Sequence, residues 1–98
     1  MSSKKKLVEN VANEEANHIE LGKFYFLNNK QEEAIVEFEK ALELNSENAE
    51  AYCHLGLVYE TSNNFDLAKQ MYMKALAIKN DYPMVRERLN KLIGLEDE

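Results

Sequence analysis

The chain has 98 residues, a length typical of one domain, and its 12 Lys and Arg against 18 Asp and Glu give a formal net charge of −6. An acidic protein repels a nucleic-acid backbone, and no apolar run approaches the roughly 20 residues of a membrane-spanning helix, so we expect neither nucleic acid nor membrane as a partner. A single cysteine, Cys53, and N-terminal lysines with no apolar signal core after them predict a soluble, cytoplasmic protein.

The first 14 residues form a short segment of amphipathic character. They begin with Met-Ser-Ser-Lys-Lys-Lys and then place Leu7, Val8, Val11 and Ala12 among polar neighbours. Two readings fit this pattern: a frayed tail, or one or two helical turns that lie against the residues that follow.

Residues 15–48 and 49–82 are two copies of one pattern with a period of 34 residues. Eight positions are identical, and they pair Leu21 with Leu55, Gly22 with Gly56, Tyr25 with Tyr59, Asn29 with Asn63, Ala34 with Ala68, and Lys40-Ala41-Leu42 with Lys74-Ala75-Leu76. A repeat of this length predicts stacked units that bury their apolar faces on one another.

A first helix is predicted over residues 15–28. Gly22 lies inside it at a cost of about 1 kcal/mol against alanine, so the glycine needs a packing reason. We expect the missing side chain to let the second helix approach closely, with Ala34 and Ala41 as the small residues opposite. Asn28-Asn29 ends the helix, because Asn tolerates the left-handed backbone conformation, and Asn63 and Gly94 are expected to end later helices in the same way.

The first helix carries more apolar surface than one stripe can hold. We expect Leu21, Phe24 and Tyr25 to face the hairpin partner and the second repeat, and Ile19, Phe26 and Leu27 to remain uncovered on the groove side. Residues 1–14 folding back, a second copy of the chain, or a partner protein are the candidates to cover that side. A partner or a second copy is favoured, since the N-terminal segment offers only small aliphatic residues and three lysines.

The second helix is predicted over 31–44, with an apolar stripe of Ala34, Phe38, Ala41, Leu42 and Leu44. Its other side, Glu37, Glu39 and Glu43, is expected to be solvated. Asn45 to Asn48 are expected to cap a third helix at 49–62, and Asn64 a fourth at 65–79.

A fifth helix is predicted from Pro83 to Gly94, where Leu89 and Ile93 repeat the positions of Leu55 and Tyr59. Its inward stripe is expected to be Val85, Leu89, Leu92 and Ile93, and its polar exterior Arg86, Glu87, Arg88, Asn90 and Lys91. Residues 83–94 are therefore predicted to cap the array, with 95–98 as an acidic tail. Two repeats and one cap are fewer than the three repeats usually needed, so we expect marginal stability or self-association.

The two blocks share an aromatic-x-x-Leu-Gly-x-x-Tyr motif followed by Ala-x-x-x-aromatic. The second block has it as Tyr52, Leu55, Gly56, Tyr59, Ala68, Tyr72 and Ala75, and the first as Leu21, Gly22, Tyr25, Ala34, Phe38 and Ala41. This pattern resembles the tetratricopeptide repeat (TPR) family over about residues 15–93. His18 in the first aromatic slot, Ser46 and Asn80 in place of a proline, and Asn90 in place of the third glycine depart from it. The resemblance implies an all-α fold, a right-handed α-α superhelix of helical hairpins.

The resemblance also implies a concave groove that holds a peptide or a partner helix, lined by the first helix of each repeat. In this chain the lining would be Ile19, Lys23, Phe26, Leu27, Glu50, Cys53, His54, Leu57, Met84, Glu87, Arg88 and Lys91. Some relatives grip chaperone tails with a clamp of lysines, asparagines and an arginine. Ile19, Lys23, His54, Met84 and Arg88 occupy the clamp slots here, and only Arg88 matches, so we expect no chaperone-tail binding of that kind.

Catalytic and metal-binding patterns are weak. No second Cys or His lies at helical spacing from His18 or His54, Cys53 has no nucleophile constellation, and no Gly-rich phosphate loop exists. We therefore expect no enzyme activity, metal or cofactor. The favoured function is an adaptor for a protein or peptide, and the alternative is a module that forms a homodimer or larger homo-oligomer through its first helix or groove.

Overall fold

The computed structural model describes the backbone of residues 2–96 and the side chains of residues 13–94. The helices are α1 Ser2–Leu27, α2 Gln31–Leu44, α3 Ala49–Thr61, α4 Phe65–Ile78 and α5 Pro83–Glu96. All regular secondary structure of residues 2–96 is helical, which confirms the all-α class. None of the helices searched in this part of the chain combines the length and the apolarity needed to cross a bilayer. The chain forms two compact units, Met1–Ser46 and Glu47–Glu98.

α1 is longer than the sequence predicts. It begins at Ser2 rather than near residue 15, so the predicted tail or short turns are the first part of one continuous helix. No Gly or Pro precedes Gly22, and so nothing in the sequence breaks the helix before the repeat pattern begins. A segment that continues a helix cannot fold back over it, and that alternative was wrong. The contacts of Leu7, Val8, Val11 and Ala12 lie outside the described side chains.

Two asparagines end their helices as predicted. Asn29 and Asn63 have φ angles of 61° and 62°, the left-handed conformation. At each turn the next amide donates to a carbonyl five residues back, Lys30 N to Tyr25 O and Asn64 N to Tyr59 O, both at 2.8 Å. The same prediction was wrong for Gly94, because α5 continues to Glu96 and no described glycine has a positive φ.

Of the two predicted helix caps at Asn48 and Asn64, one is present and the other is not. The Asn48 side chain accepts a hydrogen bond of 2.9 Å from Ala51 N and caps α3. Asn64 makes no side-chain cap, because its ψ of 76° lies short of the extended conformation that Asn48 adopts. The prediction for Asn64 was therefore wrong, and α4 begins without this hydrogen bond.

Unit 1 is an antiparallel hairpin of α1 and α2. Ala34, Phe38 and Ala41 are fully buried on α2. A Cβ added to Gly22 would lie less than 3.0 Å from three atoms of the Phe38 ring. Close approach was the correct reason for the glycine, and the atoms nearest to such a Cβ belong to the Phe38 ring rather than to Ala34 or Ala41. The glycine makes room for the largest side chain of the hairpin core.

The outer members of the predicted α2 stripe are less buried. Leu42 is half-buried and Leu44 is exposed at the end of the helix. Near that end, Asn45 Nδ2 donates to Glu15 Oε2 at 2.9 Å, which places the C-terminus of α2 beside residue 15 of α1.

Unit 2 packs α3, α4 and α5 around one core. The cluster comprises Cys53, Ala68, Tyr72, Ala75, Val85, Leu89 and Leu92. A Cβ on Gly56 would clash with the Tyr72 ring. Gly56 therefore makes room for an aromatic ring of α4, as Gly22 does for an aromatic ring of α2. Three of the four residues predicted for the inward stripe of α5 are buried, but Ile93 is 43% exposed. The prediction was wrong for Ile93, which lies on the outer side with Arg86 and Asn90.

Candidate protein-binding surfaces

The four α1 residues predicted to line a groove differ in exposure. Ile19 is buried, Lys23 and Phe26 are half-buried, and Leu27 is 80% exposed. Ile19 lies three residues before Gly22, on the face that α2 covers, because residues three apart share a helix face. Its assignment to an open surface was wrong, and Lys23, Phe26 and Leu27 remain as candidates in unit 1.

Leu21 and Phe24 show the opposite error. Both were predicted to be covered by the hairpin partner and the second repeat, but they are 39% and 58% exposed. Successive residues of a helix are rotated by about 100°, so residues two positions apart lie on nearly opposite sides. Ile19 and Leu21 are two positions apart, and their predicted sides were interchanged. Tyr25 is half-buried and meets Phe24 edge-on with ring centroids 6.0 Å apart. The exposed apolar side of α1 therefore consists of Leu21, Phe24 and Leu27.

In unit 2, α3 contributes the exposed Glu50 and the half-buried His54 and Leu57. His54 Nε2 lies 3.6 Å from Glu50 Oε2, one helical turn away. Cys53 is fully buried in the core cluster, and its place on an open surface was wrong. Burial raises the pKa of the Cys53 thiol, while its hydrogen bond with Tyr82 acts in the other direction. A buried neutral thiol is packing, not a reactive nucleophile.

α5 contributes Met84, Glu87, Arg88 and Lys91 to the same candidate set. Met84 is 40% exposed. Lys91 Nζ lies 3.5 Å from Glu87 Oε1, and both side chains are more than two-thirds exposed. Exposed pairs of this kind contribute about 0 to 1 kcal/mol and exchange partners easily.

Arg88 is held more firmly, in a network that joins all three helices of unit 2. Its Nη1 lies 3.3 Å from Glu60 Oε2, and the Tyr72 hydroxyl donates to Glu60 Oε1 at 2.7 Å. Burial, and then the hydrogen bond to Glu60, raise the pKa of Tyr72 above its ordinary value, so the hydroxyl keeps its proton. Arg88, the one residue that matches the chaperone-tail clamp, already has a carboxylate partner within its own unit.

Unit 1 has a polar cluster that the sequence did not predict. Glu37, expected on a solvated face, is only 8% exposed. Its Oε1 lies 2.7 Å from His18 Nδ1 and its Oε2 3.4 Å from Lys40 Nζ. A signal for it exists in the repeat alignment, since Tyr52 and Met71 occupy the positions of His18 and Glu37 in the second copy. In the first copy, His18 and Glu37 stand in place of these two residues and satisfy each other's hydrogen-bonding groups.

This pair predicts a loss of stability in acid. Burial alone raises the pKa of Glu37, but the hydrogen bonds from His18 and Lys40 outweigh it and hold the pKa below the ordinary 4.5. A lowered native pKa contributes stability that is present above the unfolded value and is lost as the pH falls through the native one. We expect the urea concentration at the unfolding midpoint, measured by circular dichroism, to decrease as the pH is lowered below 4.5. The decrease should be smaller in Glu37→Gln than in the wild type. The exposed Glu39→Gln is the control, and equal acid slopes in both variants would contradict the role of Glu37.

Among residues 13–94, no three His, Cys, Asp or Glu side chains come together in a way that would hold a metal ion. The polar groups described above are paired with one another.

Two sequence profiles match the chain. A TPR repeat profile matches residues 22–63, and a tetratricopeptide repeat profile matches residues 49–82, so that together they span 22–82. No curated protein sequence matched the chain.

Solved structures share the fold. A crystal structure of MamA is 26% identical with a TM-score of 0.81, over 85% of this chain and 48% of the MamA chain. PilF of Pseudomonas aeruginosa is 27% identical with a TM-score of 0.79, over 90% of this chain and 40% of its own. The match thus spans about half the length of the MamA chain and less than half the length of the PilF chain.

The first TPR of Spaghetti (RPAP3), bound to the HSP90 peptide SRMEEVD, is 19% identical with a TM-score of 0.80, over 86% of this chain and 67% of its own. At that identity the likeness concerns the fold alone. Two profiles of one family together cover most of the repeat pattern. The chain belongs to the tetratricopeptide repeat family.

Proposed function

We propose that the chain is a small adaptor that binds a peptide or a partner helix on the surface formed by α3 and α5. TPR repeats are protein-interaction modules, and a TPR of the same fold holds a peptide. The observation that carries the proposal is the surface of α3 and α5 in unit 2, where accessible apolar side chains lie among charged side chains that form ion pairs.

The apolar anchors of this surface are Leu57 and Met84. Leu57 packs partly against the core cluster and keeps part of its side chain accessible, and Met84 is 40% exposed. A methionine adapts its shape to different partners because it is unbranched and polarizable. Apolar anchors with a polar rim are the usual composition of a peptide-binding surface.

The charges of the surface bear on the choice of partner. His54 and Glu50 form one pair and Lys91 and Glu87 another. The exposed Lys91 exchanges Glu87 for a carboxylate of a ligand at little cost. Arg88 would have to leave Glu60 and is a poorer ligand group. We therefore propose a segment with apolar anchors and a single acidic flank near Lys91.

The test uses peptides selected from a random library on the immobilised protein and then synthesised. Met84→Glu with Lys91→Glu is expected to weaken their binding at least about tenfold in fluorescence anisotropy, because it removes an anchor and repels the flank. The melting temperature should change little, since both side chains are exposed. Met73→Glu, on the exposed side of α4, is the matched control and should bind normally.

Equal binding by the double variant and the wild type would remove the surface of α3 and α5 from consideration. Lys23 belongs to unit 1, where its Nζ lies 3.3 Å from Glu20 Oε1 in an exposed pair. It is therefore tested in a separate variant, Lys23→Glu. Arg88 is left unchanged in both variants, because Arg88→Glu would place a second carboxylate beside Glu60 and destabilise unit 2.

A further inference from the structure

The exposed apolar side of α1 has a counterpart in unit 2. We name Leu21, Phe24 and Leu27 the α1 stripe; they are 39%, 58% and 80% exposed. Their spacing of three residues places them along one side of the helix. Contiguous exposed apolar side chains on a folded protein mark a surface that another molecule covers.

The repeat alignment shows what kind of element covers this position. At an offset of two periods, Leu21 aligns with Leu89 and Phe24 with Leu92 of α5. Those two leucines are only 9% and 4% exposed, and they share a core cluster with residues of α4, Ala68, Tyr72 and Ala75. The covering element is thus a helix with small residues at positions i and i+7 and an aromatic residue at i+4.

The polar neighbours of the α1 stripe differ from those in unit 2. Asn17 stands where α5 has the buried Val85, and Glu20 stands where α5 has Arg88. Glu14 and Glu20 are both exposed, Glu20 forms with Lys23 an exposed pair of the kind that exchanges partners easily, and the last turn of α1 has no basic residue. A helix that covers the stripe therefore meets acidic groups beside it, and basic residues on its flank are favoured.

We propose that the α1 stripe docks an amphipathic helix of a partner protein, with small and aromatic residues at the spacing found in α4 and with a basic flank. This docking site goes beyond the proposed function, because it uses none of the residues of the surface of α3 and α5.

Charge distinguishes a partner from a second copy of the chain. Symmetric pairing of two α1 stripes would bring together two acidic chains, each with a net charge of −6 and with Glu14 and Glu20 exposed near the stripe. Like charges close to an interface oppose its formation. Asn17 also makes the stripe less apolar than the equivalent face of α5, which suits reversible docking.

The probe is a peptide with the sequence of residues 65–78, the α4 sequence of this chain. Lys69 and Lys74 against Asp66 give it a side-chain charge of +1. A 14-residue peptide is barely helical alone, so a side-chain cross-link joins positions 73 and 77, both exposed in the native helix. The peptide is titrated into the full 15N-labelled chain.

We expect saturable binding with a Kd below about 1 mM, and amide shifts centred on residues 17–28 of α1. Phe24→Asp in the protein should weaken binding at least about tenfold, and Leu27→Glu, at a more exposed position, should do the same if Phe24→Asp folds poorly. Met73→Asp is the control, because Met73 has nearly the same exposure, 59%, but lies on α4. A peptide with Lys69→Glu and Lys74→Glu should bind more weakly.

Four outcomes would overturn the proposal. They are no saturation by about 1 mM, binding that Phe24→Asp and Leu27→Glu leave unchanged, binding that the two lysine replacements in the peptide leave unchanged, and shifts centred on α5, which would mean that the peptide replaces α4 within unit 2. Sedimentation equilibrium provides a further check. A dimer of the unliganded chain that dissociates in Phe24→Asp would assign the stripe to a second copy instead of a partner.

Discussion

Replacing Tyr72 by alanine is expected to lower the free energy of unfolding by about 3 to 5 kcal/mol. Tyr72 is fully buried, fills the space that Gly56 leaves, and belongs to the cluster that unites α3, α4 and α5. Its removal creates a cavity in that cluster and leaves Glu60 without the hydroxyl that donates to it at 2.7 Å. Urea denaturation followed by circular dichroism measures the change.

Tyr72→Phe is the matched variant. It keeps the ring and removes only the hydroxyl, while Glu60 retains Arg88 at 3.3 Å. The loss should be about 1 kcal/mol, the usual value of one hydrogen bond. If alanine cost no more than phenylalanine at this position, the ring would not be the centre of the core of unit 2.

Gly56→Leu is expected to destabilise the protein by at least about 1 to 3 kcal/mol, the usual range for overpacking. Even a single Cβ at residue 56 would lie less than 3.0 Å from the Tyr72 ring. The ring cannot swing away without breaking its hydrogen bond to Glu60 or opening the cluster with α5. Gly56→Ala should therefore also destabilise, although alanine is the better helix former.

Gly94→Ala provides the control for the same change in α5. Nothing lies within 4 Å of a Cβ at Gly94, and the residue is helical, so alanine should raise the stability by roughly 0.5 to 1 kcal/mol. Opposite signs for the two Gly→Ala changes, measured in one urea series, would distinguish close packing from helix propensity. A neutral Gly56→Ala would contradict the close approach of α3 and α4.

The order and ends of the helices follow from local chemistry that is visible in the sequence. The turns at Asn29 and Asn63 and the cap at Asn48 each depend on a few consecutive residues. α2 runs over the residues predicted for it because acidic residues open it and an apolar stripe runs along it. Gly22 and Gly56 were correctly interpreted as points of close approach, since a glycine inside a helix has few other reasons to be there.

Faces were harder to predict than helices. α1 is apolar on several sides, so its period does not say which side faces α2, and Ile19 and Phe24 were exchanged as a result. Glu37 was missed because its burial depends on His18, which lies 19 residues earlier. The pattern of a single helix places a charged residue in solvent. The burial of such a residue becomes predictable only when its partner on another helix is known. The start of α1 was missed because no residue before Gly22 marks it.

The exposed faces that resulted shape the function that we propose. Removing Cys53 from the candidate residues leaves a candidate surface in unit 2 with Leu57 and Met84 as anchors and exchangeable ion pairs around them. Correcting Phe24 identifies a second exposed apolar face, the α1 stripe in unit 1. The chain thus has two candidate contact surfaces of different chemistry, one that we propose for a segment with an acidic flank and one for a helix with a basic flank.

The most direct test of the adaptor function is the mapping of a library-selected peptide on the 15N-labelled chain by amide chemical shifts. We predict that saturation moves the amides of His54, Leu57, Met84 and Lys91 together, with one dissociation constant, and that the amides along the middle of α2 move little. Shifts confined to α2 or α4, or a library that yields no peptide that binds this chain better than an unrelated helical protein, would contradict the proposal.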